Sequence, residues 1–357
     1  MNATPDKSRK PTREGRVAAT IHDVARSAGV SPMTVSRVVN GEKNVREATR
    51  TAVLEAVKDL QYAPNPAARS LAGAGGARIG LLYSNPSAAY LSEFLLGALD
   101  ESSRKGTFLV LEKCEISDAA SDRAAARKLI QGGVAGAILP SPLCETPAVV
   151  DELLGANIPC IAVATGIARA DMSCVRIDDF AAAYEMTRYL LSLGHRRIGF
   201  IKGHPNTTSS GQRQLGFEAA LEEAGCKADR SLMAQGYFSY RSGLDAAEKL
   251  LAGRTIPTAI FASNDDMAAA VVSVAHRRGL DVPQDLSVVG FDDTAIASTV
   301  WPELTTIRQP VAAMAETALD LIVGEIRRRK AGVQVEPQDH LIAHALIKRQ
   351  SAVAPKS

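Results

Sequence analysis

From residue 77 to 350, short runs of β-branched and aliphatic residues alternate with longer stretches whose apolar positions recur at helical spacing. Runs at 79–83, 108–112, 137–139, 160–164, 174–177, 197–201, 259–262 and 287–291 predict strands. Stretches at 90–106, 119–132, 181–193, 212–224, 240–253, 265–278 and 312–329 predict helices. Strands alternating with helices predict a parallel sheet with crossover connections, and the number of units suggests two α/β halves. Ligands in such folds sit outside the carboxyl ends of the strands.

Residues 20–60 carry a different pattern, with three short helical stretches and no strand. Thr20 is placed to cap the first, and Asp23 puts a negative charge in its first turn. Ile21, Val24, Ala25 and Ala28 share one face before Gly29 stops the helix. Ser31 and Pro32 form a cap-plus-proline start to a second helix over 32–39. Val35 and Val38 point inward, and Met33, Thr34, Ser36, Arg37 and Asn40 occupy the other side. A third helix over 46–60 turns Ala52, Val53, Ala56, Val57 and Leu60 inward. Two short helices joined by a tight turn, with a third across them, follow the helix-turn-helix plan. The hydroxyl, guanidinium and amide groups on the second helix suit base edges or phosphates. The plainer alternative is a small helical bundle with no nucleic-acid role.

Composition narrows the classes. Of 357 residues, 46% are hydrophobic and only 4% aromatic, so the core is built from Ala, Val, Leu and Ile. The net charge is +2, from 41 basic and 39 acidic residues, with no chain-wide basic excess. The first residues are locally basic, and 1–19 reads as a solvated, disordered tail. Cys114, Cys144, Cys160, Cys174 and Cys226 have no metal-binding spacing, and their odd number argues against a disulfide framework. Reduced thiols, the lack of an apolar leader and the lack of a bilayer-spanning run predict a cytoplasmic chain with no metal and no cofactor. Asn65-Pro66 is another helix start, and Gly73, Gly75 and Gly76 follow it. No strand precedes these glycines, so they mark a linker and not a dinucleotide loop. The division is then 20–64 headpiece, 65–76 hinge and linker, 77–350 core, and 351–357 a short tail.

Several segments resemble the lac repressor family. In the headpiece they are Thr20-Ile21-His22-Asp23-Val24-Ala25, Ala28-Gly29-Val30-Ser31, Thr34-Val35-Ser36-Arg37-Val38-Val39-Asn40 and Tyr62-Ala63-Pro64-Asn65. In the core they include Val175-Arg176-Ile177-Asp178-Asp179, Arg213-Gln214-Leu215-Gly216-Phe217, Phe261-Ala262-Ser263-Asn264-Asp265 and Val289-Gly290-Phe291-Asp292-Asp293. The resemblance covers about residues 20 to 350. It implies an all-α headpiece on a periplasmic-binding-protein-like core of two parallel-sheet subdomains. It also implies a repressor on pseudo-palindromic double-stranded operator DNA, a homodimer or dimer-based tetramer, associated with the nucleoid and controlled by a small effector. The hinge would become helical on DNA. There Asn65, Leu71 and Ala72 would touch the duplex, and Leu71 would wedge open a base step, while in the headpiece Thr20, Ser31, Pro32, Met33, Thr34, Ser36, Arg37 and Asn40 are the DNA-binding candidates.

The resemblance assigns an effector contact to Arg213, and their places after strands or their aromatic rings make Asp292, Asn264, Phe238 and Tyr90 the other effector-binding candidates. A basic residue opening a helix is unfavourable, so Arg213 calls for a partner or ligand. Its planar fork suits vicinal hydroxyls or a carboxylate. Asp292 follows a strand and can accept bonds from sugar hydroxyls. Asn264 either does the same or caps the next helix. Phe238 and Tyr90 either stack on a ring or fill core. Purine-responsive members of the family share Ala88-Ala89-Tyr90, but this chain has Leu91 and Thr207 where they carry an aromatic and an arginine. A sugar or sugar derivative is therefore favoured over a purine or nucleoside. No nucleophile elbow, Walker loop or metal pair accompanies His195, so no enzyme is expected. The rivals are a sugar-binding transport protein of the same core fold and a sugar-processing protein with an appended DNA-binding domain.

Overall fold

The computed structural model describes residues 19–39, 45–60, 62, 76–85, 87–253 and 255–356. The predicted roles of Asn40, Asn65, Leu71 and Ala72, and the tail at 1–18, lie outside the described residues. The chain divides between Gly76 and Ala77 into two compact units.

The first unit holds α1 (Ile21–Ser27), α2 (Pro32–Val39) and α3 (Glu47–Asp59). Thr20 and Asp23 close a reciprocal capping box at the start of α1. Its end turns at Gly29, where φ is +65°, and the Val30 amide returns to the Ala25 carbonyl at 3.0 Å. Val24, Ala25, Val35, Val38, Val53 and Ala56 form the core of this unit. Leu60, predicted inward, is 37% exposed. It lies past Asp59, the last residue of α3, and so leaves the inward stripe.

In the second unit, β1 (Arg78–Tyr83), β2 (Phe108–Lys113), β3 (Gly136–Pro140), β4 (Cys160–Val163), β5 (Ser173–Arg176) and β11 (Asp339–Leu341) form a parallel sheet in the order β11-β5-β4-β3-β1-β2. Ile79 and Leu81 join the core on one face, with Phe94 of α4 (Ala88–Lys105) and Leu319 of α12 (Val311–Lys330). Leu82 joins the core on the other, with Leu129 of α5 (Ala119–Gln131) and Leu153 of α6 (Pro147–Gly155). Helices cover both faces, which is why these strands read as unbroken apolar runs.

The other half has β6 (Ile198–Lys202), β7 (Met233–Gln235), β8 (Ala259–Ala262) and β9 (Ser287–Val289), in the order β7-β6-β8-β9. Around it lie α7 (Asp179–Ser192), α8 (Thr208–Glu223), α9 (Tyr240–Leu250), α10 (Asp265–Arg277) and the short α11 (Ala295–Thr299). β10 (Thr306–Arg308) and β12 (Ala345–Ile347) form an antiparallel pair. The chain passes between the halves after β5, after β10, and between β11 and β12.

Three expectations about the core are corrected. α8 begins at Thr208, so Arg213 lies in its second turn and does not open the helix. β9 ends at Val289, so Asp292 follows three residues later. Residues 351–353 are not a free tail: Val288 donates to the Ser351 carbonyl at 2.8 Å, and Val353 donates to Ser287 Oγ at 3.0 Å. Ser351 and Ala352 are buried by this docking.

Candidate functional site

A cleft of about 720 Å³ opens at the carboxyl ends of the strands in both halves. Tyr83 and Ser84 reach it from β1, Ser141 from β3, Ala164 from β4, Asn264 from β8 and Gln309 from β10. Its lining is rich in hydroxyls and amides, including Asn85, Ser87, Asn206, Thr207, Ser209 and Ser239. Ile116, Ala164, Phe238 and Asp292 line it with positive φ, of 49°, 58°, 59° and 112°. Non-glycine residues occupy that region at a cost, and such strain gathers at binding sites.

The sequence-predicted residues Tyr90, Arg213, Phe238, Asn264 and Asp292 all line this cleft. Arg213 is 4% exposed. Its Nε donates to Asp179 Oδ1 at 2.8 Å and its Nη1 to the Ser263 carbonyl at 2.5 Å. Asp292 Oδ1 lies 3.9 Å from Nη1. The guanidinium carbon sits 3.6 Å from the centroid of the Phe291 ring and 5.7 Å from that of Phe238. Position in the helix therefore does not explain Arg213; a buried carboxylate and an aromatic face do. Asp179 and Phe291 lie in the quoted motifs, but nothing local showed that both contact Arg213 across the fold.

Asp292 Oδ1 accepts from Gln309 Nε2 at 2.6 Å, and the Gln309 amide donates to the Asp292 carbonyl at 3.2 Å. Gln309 lies in the crossing after β10, so a cleft carboxylate is fastened to a segment joining the two halves. Burial pushes the Asp292 carboxyl up to about 7, against the pull of Arg213 and Gln309. Burial also raises Asp179, Asp265 and Asp266. Asp265 accepts from the Thr294 amide at 2.9 Å and from Thr306 Oγ1 at 2.6 Å. Asn264 caps α10, accepting from the Met267 amide at 3.0 Å while its Nδ2 donates to the Phe238 carbonyl at 2.9 Å. Capping and cleft lining are combined in this one residue. Tyr90 is buried, and its hydroxyl has no hydrogen-bond partner. A buried orphan hydroxyl costs about 1–3 kcal/mol, which a bound acceptor would offset.

His195 has a structural role. Its ring nitrogens bond Thr258 Oγ1 at 2.9 Å and the Val353 carbonyl at 2.8 Å. Among the described residues no His, Cys, Asp and Glu cluster suits a metal, and no helix is long and apolar enough to cross a membrane.

In the first unit, Met33 is 66% exposed on α2 and Arg37 is exposed beside it. Pro32, Thr34 and Ser36 are half-buried on the same short helix. Two hydroxyls are engaged locally: Thr20 Oγ1 donates to Asp23 Oδ2 at 2.7 Å, and Ser31 Oγ lies 2.9 Å from Thr34 Oγ1. Ser31 also accepts from the Thr34 amide at 3.2 Å, and so caps α2.

A helix-turn-helix unit joined to a two-lobed binding core defines a DNA-binding regulator that responds to a small molecule. Residues 20–65 match the bacterial regulatory proteins of the lacI family, and residues 187–352 match the periplasmic binding protein-like domain. The HTH-type transcriptional repressors PurR of Shigella dysenteriae serotype 1 and Escherichia coli O1:K1 are 36% identical over 339 residues, covering 93% of this chain and 96% of theirs. The lac repressor dimer bound to operator and the anti-inducer ONPF aligns with a TM-score of 0.76 and 28% identity, over 95% of this chain and 100% of that one. The transcriptional regulator CelR–cellobiose complex aligns at 0.71 and 30%, over 93% of this chain and 99% of that one. The chain belongs to the lacI family of bacterial regulatory proteins. It is a DNA-binding transcriptional repressor with a small-molecule effector and operator DNA as partners, and not an enzyme.

Proposed function

We propose that residues 20–64 read a pseudo-palindromic operator as a homodimer in the cytoplasm, that 65–76 join them to the core, and that the cleft takes a neutral sugar or sugar derivative. The carrying observation is the floor of the cleft, where Arg213 lies between Asp179 and Asp292. One guanidinium against two carboxylates, with the lining's Lys113 paired to Glu115 at 2.9 Å, leaves little positive charge for a phosphate or carboxylate ligand. Asp292, the Tyr90 hydroxyl and the remaining Arg213 N–H groups offer acceptors and donors that match ring hydroxyls. Asn264 and the hydroxyl-rich lining support the same class, and Phe238 provides an apolar face for a sugar ring. On the DNA side, Arg37 pairs with a guanine edge and Met33 packs on a thymine methyl.

A purine is the second reading, favoured by the aromatics Tyr90 and Phe238 and by the PurR relatives. Thr207 in the lining, where an arginine would be needed, counts against it. Calorimetry with a panel of monosaccharides, disaccharides, sugar phosphates and nucleobases tests the choice. Binding by a neutral sugar, with operator affinity changed by that sugar, is the expected result. Binding by hypoxanthine or guanine alone overturns it, and binding by sugar phosphates alone overturns the charge argument.

A further inference from the structure

The end of the core where the strands begin carries cations that the cleft does not use. α12 ends in Arg327-Arg328-Arg329-Lys330, all four exposed. The last turns of α12 lie over the start of β3, since a Cβ added at Gly136 would touch the Ile322 and Ile326 side chains. Gly136 pairs with Ile79, next to the exposed Arg78. The basic run and the start of β1 therefore lie at the same end of the sheet, and the chain enters the core at Ala77, one residue before Arg78.

Nearby acids are already engaged. Glu101 and Glu316 pair with Arg104 at 2.9 and 3.1 Å, Asp320 pairs with Lys105, and Glu325 pairs with Arg329 at 2.7 Å. Among the described residues, Arg78, Arg327, Arg328 and Lys330 have no ion-pair partner. Glu336, in the loop leading to β11, is exposed without a partner and offsets one of these charges. Cations suit a helix carboxyl end, but that effect fades within a turn, and Arg329 already occupies it.

We infer that Arg78, Arg327, Arg328 and Lys330 form a second DNA-contacting surface, which binds backbone phosphates flanking the bases read by the headpiece. Duplex DNA is the partner because the same chain carries a DNA-reading unit, joined covalently to the core just before Arg78. Once that unit is seated, the second contact is intramolecular and needs little intrinsic affinity. The surface reads charge and not sequence.

The test uses the full chain and a duplex that the wild type selects from a random pool. The duplex is made in two lengths, one ending at the half-sites and one extended by a helical turn on each side. Affinity is measured across a salt series. The wild type should gain affinity and salt dependence on the longer duplex. The variant Arg327→Gln/Arg328→Gln/Lys330→Gln should lose that gain, its log–log salt slope falling by about 0.9 for each phosphate contact removed. On the short duplex the two proteins should match. The charge-preserving variant Arg327→Lys/Arg328→Lys/Lys330→Arg should restore the gain, which a purely structural role for these residues would not require. Equal gains for wild type and Gln variant overturn the surface. So does an equal loss on both lengths, or failure of the charge-preserving variant to rescue.

Discussion

At the scale of single residues, the cleft is governed by one buried guanidinium. Removing it by Arg213→Ala leaves Asp179 as an uncompensated buried charge, which costs about 3–5 kcal/mol. The variant should therefore lose core stability along with its effector response, and chemical denaturation measures the difference. Asp292→Asn is the milder change. It keeps an oxygen for Gln309 Nε2 and removes a charge that burial disfavours. Because the folded Asp292 holds its proton up to about 7, the folded state binds more protons than the unfolded chain between about pH 4 and 7. Its contribution to stability is complete at the acid end of that window and lost as pH rises through 7. Wild-type thermal stability should therefore fall from pH 6 to 8, and the fall should be smaller in Asp292→Asn. An equal fall in both proteins would assign the titration to another group, with Asp179, Asp265 and Asp266 the nearest choices. Arg213 and Asp292 could be picked out from the sequence through family motifs. The reason for Arg213 could not, because Asp179 lies 34 positions away and pairs with it only in the fold.

At the scale of elements, periodicity served where an element is long and one of its faces is buried. α2 shows it in eight residues: Val35 and Val38 are buried, and Met33 and Arg37 are exposed. Arg37→Ala should reduce discrimination between operator and random DNA by about 1–3 kcal/mol while the headpiece stays folded. A gel-shift competition reads the first and circular dichroism the second. Unchanged discrimination would remove Arg37 from the reading set. The elements missed were β7, β10, β11 and β12, at three residues each, α11 at five and α6 at nine. Three residues cannot establish a period of two. The start of α8 was missed for a related reason: Thr208-Ser209-Ser210-Gly211 are weak helix formers, and tertiary contact overrides their propensity. Thr208 is held by Glu145 through its amide at 2.7 Å and its hydroxyl at 2.8 Å, and Gly166 donates to that hydroxyl at 2.9 Å.

At the scale of the whole molecule, a regulator needs a ligand contact that differs between two arrangements of the core. The Asp292–Gln309 pair is placed for this. Asp292 lines the cleft, and Gln309 both lines it and lies in the segment after β10 that joins the halves. A ligand hydroxyl that draws on Asp292 Oδ1 competes with Gln309 for the same oxygen, so occupancy of the cleft acts on the crossing directly. Gln309→Met keeps the bulk and removes the Nε2 donor. The variant should still bind effector, because Arg213, Asn264 and Phe238 remain. It should lose much of the change in operator affinity that the effector brings about. Coupling between such sites is typically about 1–3 kcal/mol and is reciprocal. Effector affinity measured with and without operator should thus differ in the wild type, and the difference should shrink toward unity in Gln309→Met. If coupling persists in full, the signal runs through the other crossings, 177–178 and 342–344. Arg176, bound to Asp339 at 2.7 Å beside both of them, would then be the residue to change next.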